Sequence, residues 1–434
     1  MLKRKFMDTL LEWKHTKSRE CLLIKGARQI GKTYIIREFA KASYSNVIEI
    51  NFLRDTRFKK AFEQAPDLSF NAVFSQLTLI EPSIHFMPNQ TLLFLDEIQE
   101  CGAARTALKF IAEEDRVDCI ASGSMLGIAY KKISSIPVGY ERQIEMFSLD
   151  FEEFLWAKGY DKAQLSILHG FFDRKEKVPT AVNETMLGCL REYMAVGGMP
   201  YVVQTYIDTN NYALVFAEQT KIISSYLDDI AKYTSESEKP KARNCYLSIP
   251  RQLAKETKKF QYSVVEKGGT SRKFDNSLDW LNDAGLIKFC KNVSLPVFPL
   301  KAYIKDDQFK VYLSDIGLLT AMYDFDMKSA IVNNTLTGPA KGGIYENLIA
   351  DILFKKNCPL NYYKTDNNTQ EIEFLLTENA AVIPIEVKSG NGATLSLNEI
   401  TAKFNPPYTL KFITGNVGVS DKKITYPLYM AMFL

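Results

Sequence analysis

Three observations predict an α/β fold built of several modules. Strands alternate with helices through the first third of the chain, a glycine-rich turn joins the first of those strands to its helix, and charged strands return in the last quarter. At 434 residues the chain is long enough for about two to four domains with cores of their own. With 46% hydrophobic and 24% charged residues it has the make-up of an ordinary globular protein. The seven cysteines are scattered without a C-x-x-C pair, as expected of reduced core residues in a cytoplasmic protein. His15, His85 and His169 are spaced for neither a zinc site nor a catalytic triad. The basic N-terminus is followed at once by Asp8, Glu12, Lys14 and Lys17, so no signal peptide is expected there. No uncharged run approaches the ~20 residues of a membrane span, so no membrane partner is expected.

Residues 1–150 read as the parallel-sheet core. Cys21–Lys25 is an apolar strand and Tyr34–Ala42 a helix, and Gly26-Ala27-Arg28-Gln29-Ile30-Gly31-Lys32-Thr33 lies between them. That spacing is a phosphate-binding loop: successive backbone N–H groups surround a polyphosphate and the helix N-terminus adds positive potential. The expected ligand is ATP with Mg²⁺, held by residues Gly26 to Tyr34. Lys32 would reach the β- and γ-phosphates and Thr33 would hold the metal. Further strands are expected at Val47–Phe52, Thr91–Leu95, Val117–Ser122 and Ile144–Leu149, with a helix at Arg105–Glu113. The strand from Thr91 ends in Asp96 and Glu97, where Asp96 would support Mg²⁺ and Glu97 would polarise an attacking water. Ser122 is placed to sense the γ-phosphate or that water, and Ser124 serves equally well as a helix cap.

Residues 151–239 read as a helical lid, opened by Phe151–Trp156 and broken sharply by Gly197-Gly198-Met199-Pro200. Ser235–Pro240 reads as a hinge. Residues 240–325 read as a winged helix. Ile249–Glu256 and Ser271–Leu281 are its helices, Gly285 a C-terminal cap, and Leu286–Val293 and Phe309–Leu313 its strands. Between Lys241 and Lys310 stand fourteen Lys/Arg against seven Asp/Glu, a local basic excess that points to a polyanion such as DNA. Arg251, Arg272 and Lys273 are the candidate nucleic-acid residues, with the last two at the start of the recognition helix. A winged helix used only for protein contact fits the same pattern.

In residues 326–434, Gln370–Leu376 and Val382–Gly390 read as strands. Alternation puts Glu386 and Lys388 on one face. Glu373 is expected beside them on the neighbouring strand, and Glu346 from the helix around Tyr345–Leu353. Two or three carboxylates with one lysine suit Mg²⁺-dependent phosphodiester hydrolysis, with Glu373 and Glu386 as metal ligands and Lys388 stabilising charge or orienting water. This is a nuclease-like α/β module.

The chain resembles, almost end to end, a bacterial and archaeal family of uncharacterised AAA-type ATPases with a C-terminal restriction-endonuclease-like domain. The phrases that carry the resemblance are Lys25–Thr33, Leu95-Asp-Glu-Ile-Gln99, Ala121–Ser124, Leu149–Leu155, Gly197–Pro200, Leu313–Leu318 and Ile385-Glu-Val-Lys-Ser389. The resemblance implies a P-loop NTPase core, a winged helix and a nuclease-type fold. Similar proteins carry a Gly-Arg pair before the Ile144–Leu149 strand, whose arginine is a candidate to stabilise the transferred phosphate. Here Tyr140 follows Gly139, and Arg142 is the arginine left for that role. Glu373 stands where an aspartate is usual. Two functions fit: an ATP-regulated nuclease in DNA defence or maintenance, or a nucleotide-dependent switch whose C-terminal fold only binds. A second copy of the chain or a protein partner is compatible with either.

Overall fold

The computed structural model describes residues 2–16, 20–114, 116–125, 139–235, 237–365, 370–390 and 395–434. It divides into two compact units, one of Lys3–Ser148 with Asp283–Gly285, the other of Leu149–Asn282 with Leu286–Leu434. Among the described residues no helix is long and apolar enough to cross a membrane.

In the first unit, β1 (Cys21–Gly26), β2 (Asn46–Asn51), β3 (Thr91–Asp96), β4 (Asp118–Ser124) and β5 (Glu141–Glu145) form one sheet in the order β2-β3-β4-β1-β5, with every pairing parallel. β1 and β3 are apolar runs because helices cover both faces of such a sheet. Phe52, Phe62, Leu93, Leu95, Leu108 and Ile111 are among the buried core side chains of one face. β5 starts earlier than the sequence indicates: it runs Glu141–Glu145 rather than Ile144–Leu149. The Met146 N–H still donates to Lys25 O at 2.8 Å before the chain leaves the sheet.

In the second unit five helices run from Phe151 to Tyr233. Asp150 opens the first with a capping box, its side chain accepting from Glu153 N while the Glu153 carboxylate accepts from Asp150 N. The helix expected at Ile249–Glu256 is instead Lys239–Leu253. Pro240 lies in its first turn, where the missing N–H costs nothing, so the proline of the expected hinge starts a helix rather than interrupting one. Helices Tyr262–Val265 and Ser271–Asp283 follow, then β6 (Ile287–Val293) and β7 (Ile304–Leu313) as an antiparallel hairpin.

The expected boundary between 325 and 326 runs through a sheet. β6 pairs in parallel with β8 (Asn361–Lys364), which pairs with β9 (Glu371–Ile372), giving the order β7-β6-β8-β9. Hairpin and C-terminal strands therefore share backbone hydrogen bonds, which a linker position read from composition cannot reveal. β10 (Phe374–Glu378), β11 (Ala381–Val387), β12 (Thr409–Ile413), β13 (Gly418–Ser420) and β14 (Lys423–Pro427) make a further sheet in the order β10-β11-β12-β14-β13.

Helix Gly338–Lys355 carries a fully buried carboxyl, Asp351, beside Lys355 Nζ (2.9 Å) and Tyr193 Oη (3.2 Å). Burial pushes Asp351 up to about 7, against the pull of Lys355 and with Asp315 adding to the rise. An unfolded aspartate titrates near 3.9, so the folded state holds the extra proton between about pH 4 and 7. The associated stability is full below about pH 4 and is lost as pH rises through about 7. Denaturant melts of Asp351→Asn should therefore gain on the wild type by on the order of 2 kcal/mol between pH 5 and pH 8. Parallel stability profiles for the two proteins would contradict the raised carboxyl.

Candidate functional site

The loop expected at Gly26 closes β1 and opens helix Lys32–Ser43. Gln29 (φ 64°) and Gly31 (φ 89°) both adopt left-handed backbone, which turns the chain tightly enough for helical N–H groups to face the loop. Gly26 is closely packed: a Cβ there would overlap Met146 O and the Ile30 side chain. Lys32 Nζ donates to Gly26 O and Ala27 O, both at 2.9 Å. Burial pushes its ammonium down to about 8, opposed by Glu97 and Asp96 and reinforced by Arg28. Tyr34 is exposed.

Asp96, at the end of β3, is the centre of the polar cluster. Its carboxylate accepts from Thr33 Oγ1 at 3.1 and 3.2 Å, from Asn51 Nδ2 at 2.9 Å and from Ser122 Oγ. Ser122, fully buried, turns its hydroxyl to Asp96. Glu97 follows in left-handed backbone (φ 56°, ψ 45°), and Gln99 Nε2 donates to its Oε2. Asn51 and Gln99 were not singled out from sequence. Asn51 reaches Asp96 because β2 and β3 pair Asn51 with Asp96 directly, a register that sequence spacing does not give. Arg142 is not brought to the loop of its own chain. It is exposed and pairs with Leu22, four residues short of Gly26 or roughly 13 Å along the strand. Because β5 runs parallel to β1, residues at its start lie toward the end of the sheet away from the loop. Residues 126–138, the stretch before Gly139, lie outside the described residues. Thr33 and Asp96 form an oxygen donor set of the kind Mg²⁺ takes, with phosphate oxygens and waters completing its shell. When bound there, the ion would neutralise phosphate charge.

In the C-terminal sheet, β10 and β11 pair Phe374 with Ile385, so Glu373 comes opposite Glu386. Lys388 Nζ lies 2.9 Å from Glu373 Oε1 and 3.6 Å from Glu386 Oε1. The Val387 N–H donates to Glu373 Oε2 at 3.3 Å. Burial raises the pKa of both carboxyls against the pull of Lys388, while the carboxylates hold the Lys388 ammonium up despite burial. Glu386 is 1% exposed, and its Oε2 has no hydrogen-bond partner among the described residues. A buried carboxylate oxygen left unpaired is costly, and a cation beside it would satisfy it. Among the described residues no three His, Cys, Asp or Glu side chains converge on one metal position. Two carboxylates still fit Mg²⁺, which commonly takes one or two with phosphate oxygens and water.

Glu346 faces this pair closely enough to raise Glu373, but its carboxylate is otherwise engaged. Oε1 takes Lys258 at 2.9 Å, and Oε2 takes Lys310 Nζ and Tyr312 Oη, both at 3.1 Å. Burial is overcome by Lys310 and Lys258, which hold Glu346 below the usual range. Lys310, 1% exposed, also meets Glu371 at 2.7 Å. The Glu346 carboxylate is thus paired with Lys310 and Tyr312 of β7 and with Lys258, which lies between helices Lys239–Leu253 and Tyr262–Val265. Arg251, Arg272 and Lys273 are exposed, and Lys273 pairs with Glu266 at 2.7 Å.

Residues 18–155 match the AAA domain family. Over those residues the N-terminal unit is similar to AAA-type P-loop domains. Residues 188–329 match a domain of unknown function (DUF8612), and residues 341–429 match another (DUF4143). No curated protein matches the chain. Among solved structures it is similar to the Walker-type ATPase PABY2304 of Pyrococcus abyssi, at 15% identity over 75% of this chain and 96% of that one, with a TM-score of 0.43. It is also similar to the Aeropyrum pernix Orc1 protein in complex with DNA (13% identity, 76% and 93% coverage, TM-score 0.30). A third is the Thermotoga maritima RuvB Holliday junction branch migration motor (10% identity, 66% and 89% coverage, TM-score 0.30).

Proposed function

We propose that this chain binds and hydrolyses ATP with Mg²⁺, and that its nucleotide state governs a winged helix acting on DNA and a nuclease-like C-terminal domain. The observation that carries the first half is the cluster of Lys32, Thr33, Asp96 and Glu97 around one loop at the end of a parallel sheet. Lys32 binds the β- and γ-phosphates, Thr33 and Asp96 hold the ion, and Glu97 takes a proton from the attacking water. Ser122 and Asn51 hold the Asp96 carboxylate in place. In the second half, Glu373 and Glu386 bind a metal ion and Lys388 orients water at a scissile phosphodiester. Arg251, Arg272 and Lys273 give the winged helix its affinity for phosphates. The protein works in the cytoplasm, as a homo-oligomer or with a protein partner.

A second reading, a nucleotide-dependent switch with an inactive C-terminal fold, is favoured by one observation: both oxygens of Glu346 are taken by Lys258, Lys310 and Tyr312. One pair of variants separates the two. Lys32→Ala should lose binding of a fluorescent ATP analogue. Lys388→Ala should keep that binding and lose the nicking of supercoiled plasmid that the wild type performs with Mg²⁺ or Mn²⁺, by 10²-fold or more in rate (an effect on the order of 3 kcal/mol). Wild-type protein that cleaves nothing in any nucleotide state would leave the switch as the function. Unaltered ATP affinity in Lys32→Ala would overturn the nucleotide site.

A further inference from the structure

The face of the C-terminal sheet that bears Glu386 also bears a row of lysines. Glu386 lies opposite Lys411 on β12, and Lys411 lies opposite Thr425 on β14. Side chains two residues apart on a strand share a face, so Lys423 on β14 and Lys388 after β11 join the same side. The proximity is electrostatic as well as topological. Glu386 is attracted by Lys388, Lys411 and Lys423, and Lys411 is repelled by the other two lysines. Three ammonium groups thus surround two carboxylates. Lys411 is only 6% exposed, whereas Lys388 and Lys423 are partly open to solvent on either side of it. Like charges gathered at a half-buried face cost free energy, and an anion seated among them relieves that cost. Neighbouring strands are about 4.8 Å apart, so the row extends roughly 10 Å across the sheet from the Glu386 strand.

We propose that Lys411 and Lys423, together with Lys388, form an anion seat for a backbone phosphate of a nucleic-acid strand, next to the phosphodiester held at Glu373 and Glu386. The unpartnered Glu386 Oε2 marks the adjoining point at which a cation would meet the same strand. A phosphodiester chain presents singly charged groups in series, so one group meets the lysines while its neighbour meets the cation that the carboxylates would attract. The seat rests on the reading of Glu373 and Glu386 as a phosphodiester site, but it makes its own prediction about binding.

The test uses the full chain with a short labelled DNA single strand and the matching duplex, in EDTA so that neither is cut, across a salt series. Lys423→Gln and Lys411→Gln should each weaken binding about eightfold near 0.1 M salt and reduce the salt slope by about 0.7 to 0.9, the contribution of one phosphate contact. Lys411→Arg should restore the slope, which distinguishes charge from packing at this buried position. A loss confined to one probe identifies single-stranded or duplex DNA as the source of the phosphate. The seat is overturned if Lys423→Gln, folded by its unchanged melting midpoint, leaves affinity and slope unaltered on both probes, or if the wild type binds neither. With Mg²⁺ present the two ideas separate. Wild type that binds through these lysines without cutting sinks hydrolysis and leaves the seat, and cutting by Lys423→Gln with unchanged KM and salt slope sinks the seat and leaves hydrolysis.

Discussion

Gly198→Ala is expected to destabilise the second unit by at least about 4 kcal/mol, because a methyl group there overlaps backbone that is fixed from several sides. A Cβ on Gly198 would overlap Leu149 O and sit 2.9 Å from both Leu149 C and Leu149 N. Leu149 cannot yield. Its N–H donates to Gly198 O at 2.7 Å, and its carbonyl accepts from Tyr193 Oη at 2.9 Å and Lys355 Nζ at 3.0 Å. On the other side the Gly198 N–H donates to Asp315 Oδ2 at 2.9 Å, while Asp315 Oδ1 caps helix Ile316–Ala321 through Gly317 N and Leu318 N. At the preceding Gly197 (φ 78°) an added Cβ would overlap Asp315 Oδ1 and lie 2.7 Å from Gly317 Cα, so the turn is packed closely on the Asp315 side as well. Moving away from Leu149 therefore breaks buried hydrogen bonds, and staying imposes the overlap. At roughly 2 to 4 °C per kcal/mol for a unit of this size, the melting midpoint should fall by about 8 °C or more, or soluble protein should be lost. Gly188→Ala is the control. It lies in helix Thr180–Val196, and its new methyl would meet only Arg191 Nη2 at 3.7 Å, so stability should hold or rise by a few tenths of a kcal/mol. Equal melting points for the two variants would show that the Gly198 turn yields.

That turn illustrates what the sequence made legible. Gly197-Gly198-Met199-Pro200 marks a break in a helical pattern, but its partner Asp315 lies 117 residues away and no local rule joins them. The grouping of Lys32, Thr33, Asp96 and Glu97 was readable for the opposite reason. A glycine-rich turn between an apolar strand and a helix, and an apolar strand ending in two acids, each encode their chemistry within about ten residues. Glu386 and Lys388 were readable from alternation along a single strand. Register between strands was not. Lys411 faces Glu386, and Asn51 faces Asp96, only because of how β11 meets β12 and β2 meets β3. The same blindness explains Arg142, whose place at the start of a strand parallel to β1 sets it toward the end of the sheet away from the loop. It also explains Glu346, whose partners Lys258 and Lys310 come from segments assigned to another module.

Glu97→Gln should bind ATP as tightly as the wild type, within about threefold, and turn it over about 10²- to 10⁴-fold more slowly, the usual contribution of a general base. The geometry separates this residue from its neighbour. Asp96 is 3% exposed and already accepts from Thr33, Asn51 and Ser122, so its oxygens are committed to holding the loop. Glu97 is less buried, carries left-handed backbone, and has Gln99 on Oε2 alone. Left-handed backbone in a residue other than glycine costs on the order of 1 kcal/mol, and here it turns the carboxylate away from the line of β3. Glu97 also raises the pKa of Lys32, which puts it in electrostatic reach of the group that would hold the β- and γ-phosphates. A glutamine keeps the shape and the contact with Gln99 and removes only the ability to take a proton, so binding and turnover should part. Stopped-flow binding of a fluorescent ATP analogue and single-turnover phosphate release measure the two separately. If both stay at wild-type values, the base is another group. If both fall together, Glu97 positions the nucleotide rather than the water.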